Sequence, residues 1–459
     1  MRGTFLLFLF FIIGITAGAN NDSTSNVPKD TFNLAEHFSR GHVSGHFRNF
    51  FMNTINEGSL RDYWTNAFGM SLHYESLSFK GFMFEMKGIF TFQTFSSDLN
   101  KKESRTDEAS KWEIELYDVL DRNNKTDLDR LEELFIHYQW KNSFIRYGRI
   151  PINSTPLLNQ RDSRMKPFAF EGFHGNLKIN KFISGQSIII HGTSPRSTVE
   201  WFGMNEAIGL NTNGVSKTGE TADYHEFLNT HFLSAQELKF ETENLMFSYW
   251  NFYLDRVFNL NWGQIELKNK SWKLGVIGLH QLAHQKQSNL NVNNQYIDPD
   301  GSTGVVSSLL ERKNKELAVA ISNTYILGKG RFLFPKELGR EELYTSVSRS
   351  RVDGLGKSSI SNISFKYNPH AKKELEFDLI CSYVNTPGAL NYQYNKYGIR
   401  DYFHTVFEID YNFLGKLKGL ELDLLYIYKR DTDKNSLTET AAFNRTNFHQ
   451  INLIMNVNF

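Results

Sequence analysis

Residues 450–459 read QINLIMNVNF. Ile451, Leu453, Met455, Val457 and Phe459 fall on one face of an extended chain, and Gln450, Asn452, Asn456 and Asn458 on the other. Side chains of a strand alternate between faces, so the stretch predicts a strand with one oily side and one wet side. A soluble sandwich uses the same pattern, with the oily side in its core. Working back along the chain, Leu420, Leu422, Leu424, Tyr426 and Tyr428 oppose Glu421, Asp423 and Lys429. Phe403, Phe407, Ile409, Tyr411 and Phe413 oppose His404, Glu408, Asp410 and Asn412. Leu375, Phe377, Leu379, Cys381 and Tyr383 oppose Glu374, Glu376, Asp378 and Ser382, and Phe82, Phe84, Met86, Phe90 and Phe92 oppose Glu85, Lys87, Thr91 and Gln93.

Mean hydropathy is −0.43, yet aromatics make up 14% of the chain, with 39 Phe and 20 Tyr. After residue 19 no apolar stretch approaches the roughly 18–20 residues of a membrane-spanning helix. A transmembrane barrel accommodates both facts, because lipid-facing and lumen-facing residues alternate and the average stays low. Charges such as Glu376 and Asp378 are tolerated if they face lumenal water. Short turns such as Asn180-Lys181, Glu243-Asn244 and Asn269-Lys270 alternate with long polar stretches, most plainly residues 97–127 and 285–312. Short periplasmic turns and long outer loops mark such barrels. The fold class expected is all-β: a transmembrane antiparallel barrel of 16–18 strands, about 18, wide enough for an aqueous channel.

The N-terminus supplies the address. Met1-Arg2-Gly3-Thr4 precedes an apolar run, Phe5 to Ile15, and an Ala17-x-Ala19 site, the pattern of a signal peptide. Residues 1–19 are therefore expected to be removed, residues 20–38 to form a short disordered lead and 39–459 to form the barrel. The formal net charge of +1 gives no field for nucleic acid, and one cysteine, Cys381, excludes an internal disulfide. A terminal Phe459 on an amphipathic strand resembles the signal read by the outer-membrane barrel-assembly machinery. The location expected is the outer membrane of a Gram-negative bacterium, with its lipid as the surrounding partner.

Residues 148–175, GRIPINSTPLLNQRDSRMKPFAFEGFHG, resemble the OprD-type family of outer-membrane porins. The matching positions are Gly148, Arg149, Pro156, Asp162, Ser163, Arg164, Pro167, Glu171 and Gly172. GKLKGLELDLLYIYKRD (residues 415–431) and the early FRNFFMNT, LRDYW and AFGMSLHYES runs are similar to it too. The resemblance implies an 18-stranded monomer that passes small hydrophilic solutes, often carboxylates, along a ladder of lumenal arginines. Asp162, Ser163 and Arg164 would then lie near the constriction, with Arg146 and Arg149 as ladder candidates and Arg48 and Arg256 as weaker ones. Guanidinium groups offer carboxylates paired hydrogen bonds. Arg146 and Arg149 fall on opposite faces of a regular strand, so at most one of them points into the lumen. A run of lumenal arginines is not otherwise legible, and D-S-R-x-x-P is also an ordinary turn composition.

Enzyme chemistry is not visible. The chain has no G-x-S-x-G, no H-E-x-x-H and no cysteine pair. His280 and His284 would sit about 13 Å apart along a strand, too far for one metal. No catalytic residue, metal or cofactor is expected. Strand-like sequence from about residue 40 leaves no room for the plug of an energy-coupled transporter. A passive porin is the expected function, and a structural or adhesive barrel with ligand-binding loops is the alternative.

Overall fold

The structure, a computed structural model, describes residues 39–153, 155–160, 164–211, 213–369, 374–432 and 439–459. The expected signal peptide and lead, residues 1–38, lie outside the described residues. The chain divides into Met1–Arg40 and Gly41–Phe459, and every strand among the described residues belongs to the second unit.

The strands are β1 (His42–Asn56), β2 (Tyr63–Glu75), β3 (Phe82–Ser96), β4 (Arg130–Trp140), β5 (Ser143–Ile150), β6 (Ala169–Lys178), β7 (Ile183–Ser194), β8 (Phe202–Gly203), β9 (Leu233–Glu241) and β10 (Leu245–Leu254). They continue as β11 (Phe258–Lys268), β12 (Trp272–Ala283), β13 (Ser302–Lys313), β14 (Leu317–Lys329), β15 (Ser359–Tyr367), β16 (Leu375–Asn385), β17 (Tyr402–Asn412), β18 (Leu420–Asp431) and β19 (Phe448–Asn458). Each pairs antiparallel with its successor, except that the two-residue β8 only fringes β7, which pairs onward with β9. β19 closes on β1 in unbroken register from His46–Asn458 to Asn56–Phe448. The result is a closed 18-strand antiparallel barrel with one extra strand. No helix among the described residues is long and apolar enough to cross a membrane. Closure removes the unpaired edge that a hydrocarbon layer would not tolerate.

The alternation predicted from the sequence maps onto the two faces. Phe82, Phe90, Phe92, Leu274, Ile321 and Leu453 stand exposed on the outside. The opposite row carries the polar residues and, toward one end, is buried. Short connections (76–81, 141–142, 179–182, 242–244, 269–271, 314–316 and 413–419) gather at one end of the barrel. Three of them use one device. The side-chain oxygens of Asn180, Asn269 and Asn314 each accept the backbone N–H groups two and three residues on, at 2.8–2.9 Å. An Asn that bonds its own following backbone sets a tight turn.

The long connections meet at the other end. Residues 285–312 are not all loop, because β13 begins at Ser302. Its Ser- and Gly-rich STGVVSSLL pairs on both sides yet carries a weak apolar signal. The connection that matters most, residues 330–358, was not singled out by composition.

Candidate constriction site

Residues 330–358 fold into the lumen instead of outward. Gln281 on the inner face of β12 bonds Leu333 both ways: its side-chain nitrogen donates to the Leu333 carbonyl and its oxygen accepts the Leu333 N–H at 3.0 Å. Thr324 of β14 meets Thr345 at 2.6 Å, and the Tyr344 hydroxyl donates to Glu266 of β11 at 2.9 Å. Farther on, Arg349 Nε donates to Gln450 of β19 at 2.6 Å, and Ser350 meets the Tyr402 hydroxyl of β17 at 2.6 Å. The segment is thus tied to the inner wall from β11 round to β19. Phe332, Phe334 and Leu338 bury against inward Phe252, Phe258 and Trp262. Each such side chain removed from water stabilises docking by about 1.5–3 kcal/mol.

Residues 97–129, 151–153, 155–160, 164–168 and the stretch after β7 build the facing half. The Tyr117 hydroxyl meets Thr65 of β2 at 2.6 Å, and Leu116 and Tyr117 bury with Phe50, Met52 and Tyr63. Arg130, at the start of β4, donates to the Pro167 carbonyl at 2.6 Å and to Ser194 at 3.0 Å. The halves touch where the Glu342 N–H donates to the Pro156 carbonyl at 2.9 Å and where Arg349 lies over the Trp112 ring at 5.6 Å.

At that junction sits a knot of charge. Arg164 is buried, its Nε donates to Glu115 at 2.9 Å and its Nη2 grips the same carboxylate oxygen. Arg196 reaches that oxygen at 3.3 Å. Burial alone would raise the Glu115 carboxyl, but Arg164, Arg196 and Arg349 outweigh it and hold it down at about 2. Glu113, buried with fewer cations near, is pushed up by desolvation while its oxygen accepts the Ser110 hydroxyl at 2.6 Å. Burial lowers Arg349 well below its ordinary value, with the charge of Arg164 adding to the effect. Lys166 is wholly buried, and desolvation lowers its amine to about 7.

The candidates from sequence are distributed as follows. Arg164 is in the knot, joined to Glu115 instead of facing open water, and its carbonyl accepts Nη1 of Arg48 from β1. Asp162 and Ser163 lie outside the described residues. Arg146 is on the inward row of β5, aligned with His137 and His174, and packs over Phe144 at 4.4 Å. Arg149 is on the outward row, over the Trp201 ring at 4.3 Å and 3.9 Å from Glu171. Gly148 between them has φ +126°, and a Cβ there would meet the Leu134 carbonyl at 2.3 Å. Arg256 sits in the turn after β10, 3.7 Å from Asp255.

Toward the short-turn end one arc of the lining is mainly acidic. Glu376 and Asp378 of β16, Glu408 and Asp410 of β17 and Asp423 of β18 stand side by side in register. Lys366 is the cation among them, 3.5 Å from Asp378 and in contact with Glu376. Across β1 to β5 the inward positions mix Arg48, Lys87 and Arg146 with Glu85 and Glu133.

Comparison with solved structures gives the architecture its place. The chain is similar to OccAB4 of Acinetobacter baumannii, with TM-score 0.70 and 14% identity over 91% of this chain and 98% of that one. It is similar to OccK3 of Pseudomonas aeruginosa, with TM-score 0.66 and 14% identity over 93% and 97%. A BenF-like porin from Pseudomonas fluorescens gives TM-score 0.66 and 14% identity over 92% and 99%. The fold is that of the Occ/OprD-family porins. No protein-family model and no curated protein matches the sequence.

Within this fold, sequence reasoning missed Glu113, Glu115, Arg196 and Arg349. For Arg349 a signal was present: four arginines fall within residues 331–351, a stretch longer than any turn requires. Composition tells a loop from a strand. It does not tell a loop that folds inward from one that folds outward.

Proposed function

We propose that this protein is an outer-membrane porin giving passive diffusion of small hydrophilic solutes through its lumen. The single observation that supports the reading is a charged knot where the lumenal loops meet. Long loops dock inside a closed 18-strand barrel, with Arg164, Arg196, Arg349 and Glu115 gathered beside β1 and β19. A structural barrel has no need to bring buried guanidinium groups to its lumen, where desolvation opposes them. Preference for carboxylate-bearing solutes follows from the excess of guanidinium over carboxylate at the knot, with Arg196 and Arg48 the more accessible members. Arg146, Asp162 and Ser163 belong to the same proposed path. Residues 1–19 serve as the export signal, residues 20–38 as a lead, and β19 with Phe459 as the segment offered to the barrel-assembly machinery, with outer-membrane lipid around the outer face.

The test is single-channel recording of the refolded protein in a planar bilayer, with small carboxylates and neutral sugars added in turn. Discrete steps that carboxylates block at lower concentration than sugars are expected. A folded barrel that conducts nothing would sink the proposal and favour a structural or adhesive role.

A further inference from the structure

A second group of side chains lies on the inner wall near the short-turn end, away from the constriction. His73 of β2, Glu85 of β3, and Glu133 and His137 of β4 all occupy inward positions. Glu85 stands diagonal to both histidines. Glu85 is in register with Glu75 and Phe135, while His73 and His137 are in register with Lys87 and Met83. Diagonal neighbours on a sheet are within reach of long side chains.

Both histidines stand at ion-pair distance from Glu85. His73 Nε2 is 3.3 Å from one Glu85 oxygen and His137 Nδ1 is 3.6 Å from the other. Neither nitrogen makes a hydrogen bond, and His137 Nε2 has none either, although all three atoms are shielded from water. His137 is 6% exposed. Buried polar atoms are almost always satisfied, so an imidazole with both nitrogens unbonded is an unfinished site. One ligand atom each from His73, Glu85 and Glu133 lies within 4.8 Å of the others. Metal–ligand bonds of about 2.0–2.2 Å put tetrahedral ligands roughly 3.3–3.5 Å apart, and His73 Nε2 already stands at that spacing from Glu85, 3.3 Å.

We infer that this wall holds a divalent first-row transition-metal ion of the zinc type, bound by His73, Glu85 and Glu133, with His137 beside Glu85 as a supporting imidazole. An imidazole with two carboxylates suits a borderline ion, whereas calcium and magnesium select oxygen-only sets. Lys87 now supplies the positive charge. Its amine is 3.3 Å from Glu132 and 3.6 Å from Glu133. Glu132 is the extra residue of a bulge in β4, opposite the step between Lys87 and Gly88. It is 1% exposed, and neither of its carboxylate oxygens makes a hydrogen bond. A metal ion drawing Glu133 away leaves Lys87 paired with Glu132. The site therefore has an internal competitor and a carboxylate to receive it.

The experiment is calorimetric titration of the refolded full-length barrel with Zn²⁺, repeated with Co²⁺ to read tetrahedral coordination from the visible spectrum. One saturable site is expected. His73→Ala and Glu85→Gln should each weaken it by more than roughly tenfold, the loss that even outer-shell changes can bring, and Lys87→Met should tighten it. Heat-shifted gel mobility identifies folded barrels, and Glu133→Gln replaces any variant that fails that check. No saturable binding, or binding unaltered in His73→Ala and Glu85→Gln, overturns the inference. The measurement involves no current, so its failure leaves the porin reading standing.

Discussion

Replacing Arg164 with alanine tests whether the knot holds the lumenal loops in place. The change removes two donors from Glu115 and leaves a carboxylate buried among loops. Breaking one partner out of a buried pair costs about 3–5 kcal/mol. Arg196 still reaches the same oxygen at 3.3 Å and is itself only partly buried. It recovers part of the loss, and about 2 kcal/mol remains, a factor of roughly 30 in the equilibrium between docked and undocked loops. The barrel itself is untouched, since none of its strand pairing passes through Arg164 or Glu115. Single-channel recordings should show larger and noisier openings, while the heat-shifted gel mobility of the folded barrel stays the same. Arg164→Ala combined with Glu115→Leu should return quieter currents, because no uncompensated charge is left behind. Unitary current, noise and ion selectivity all equal to those of the unaltered protein would refute the argument that this pair clamps the loops.

Three further outcomes are expected. Lys166, lowered to about 7, gains its proton as pH falls from 8 to 6, so anion selectivity measured by reversal potential in a salt gradient should rise over that window. Lys166→Met should abolish the change, and an unchanged slope would exclude Lys166 as its source. Glu115, held at about 2, contributes loop docking that is complete above the ordinary carboxyl range near 4.5 and is lost as pH falls toward 2. Open-channel noise should therefore stay flat from pH 7 to 5 and rise only below about 4.5. On the outer face, Leu453→Arg should destabilise the barrel by about 2–4 kcal/mol in urea unfolding if it lies near the bilayer midplane. A cost below about 0.5 kcal/mol would mean that this row does not face lipid.

Much of the fold was legible because a barrel strand writes both of its faces into every second residue. Leu453 and Asn452 could be assigned to opposite sides without any knowledge of their neighbours. The turns at Asn180, Asn269 and Asn314 were legible for a similar reason, since their hydrogen bonds span three residues. β13 was harder, because serine and glycine at Ser302, Gly304 and Ser307 carry no apolar contrast and the strand is fixed by pairing to β12 and β14. Arg146 and Arg149 could be placed on opposite faces by counting. What Arg164 touches could not, because Glu115 lies 49 positions away and the contact exists only once two loops have folded inward. Local rules fix strands and turns. The Arg164–Glu115 contact is a product of tertiary packing.

The seam between β1 and β19 has a consequence for how the molecule can be made. Phe51 faces Leu453 and His46 faces Asn458, so these contacts join positions nearly a whole chain apart. Every other neighbouring pair can zip as a hairpin or across one loop, at small entropic cost for each step. The seam has no such short path, and the entropy of bringing distant segments together must be met before any of its bonds form. The penultimate state is therefore a curled sheet with two open edges, ready to pair with any strand presented to it. Closure is the slow step, and for as long as it is pending the edges of β1 and β19 are where this chain is most exposed to mispairing with another copy.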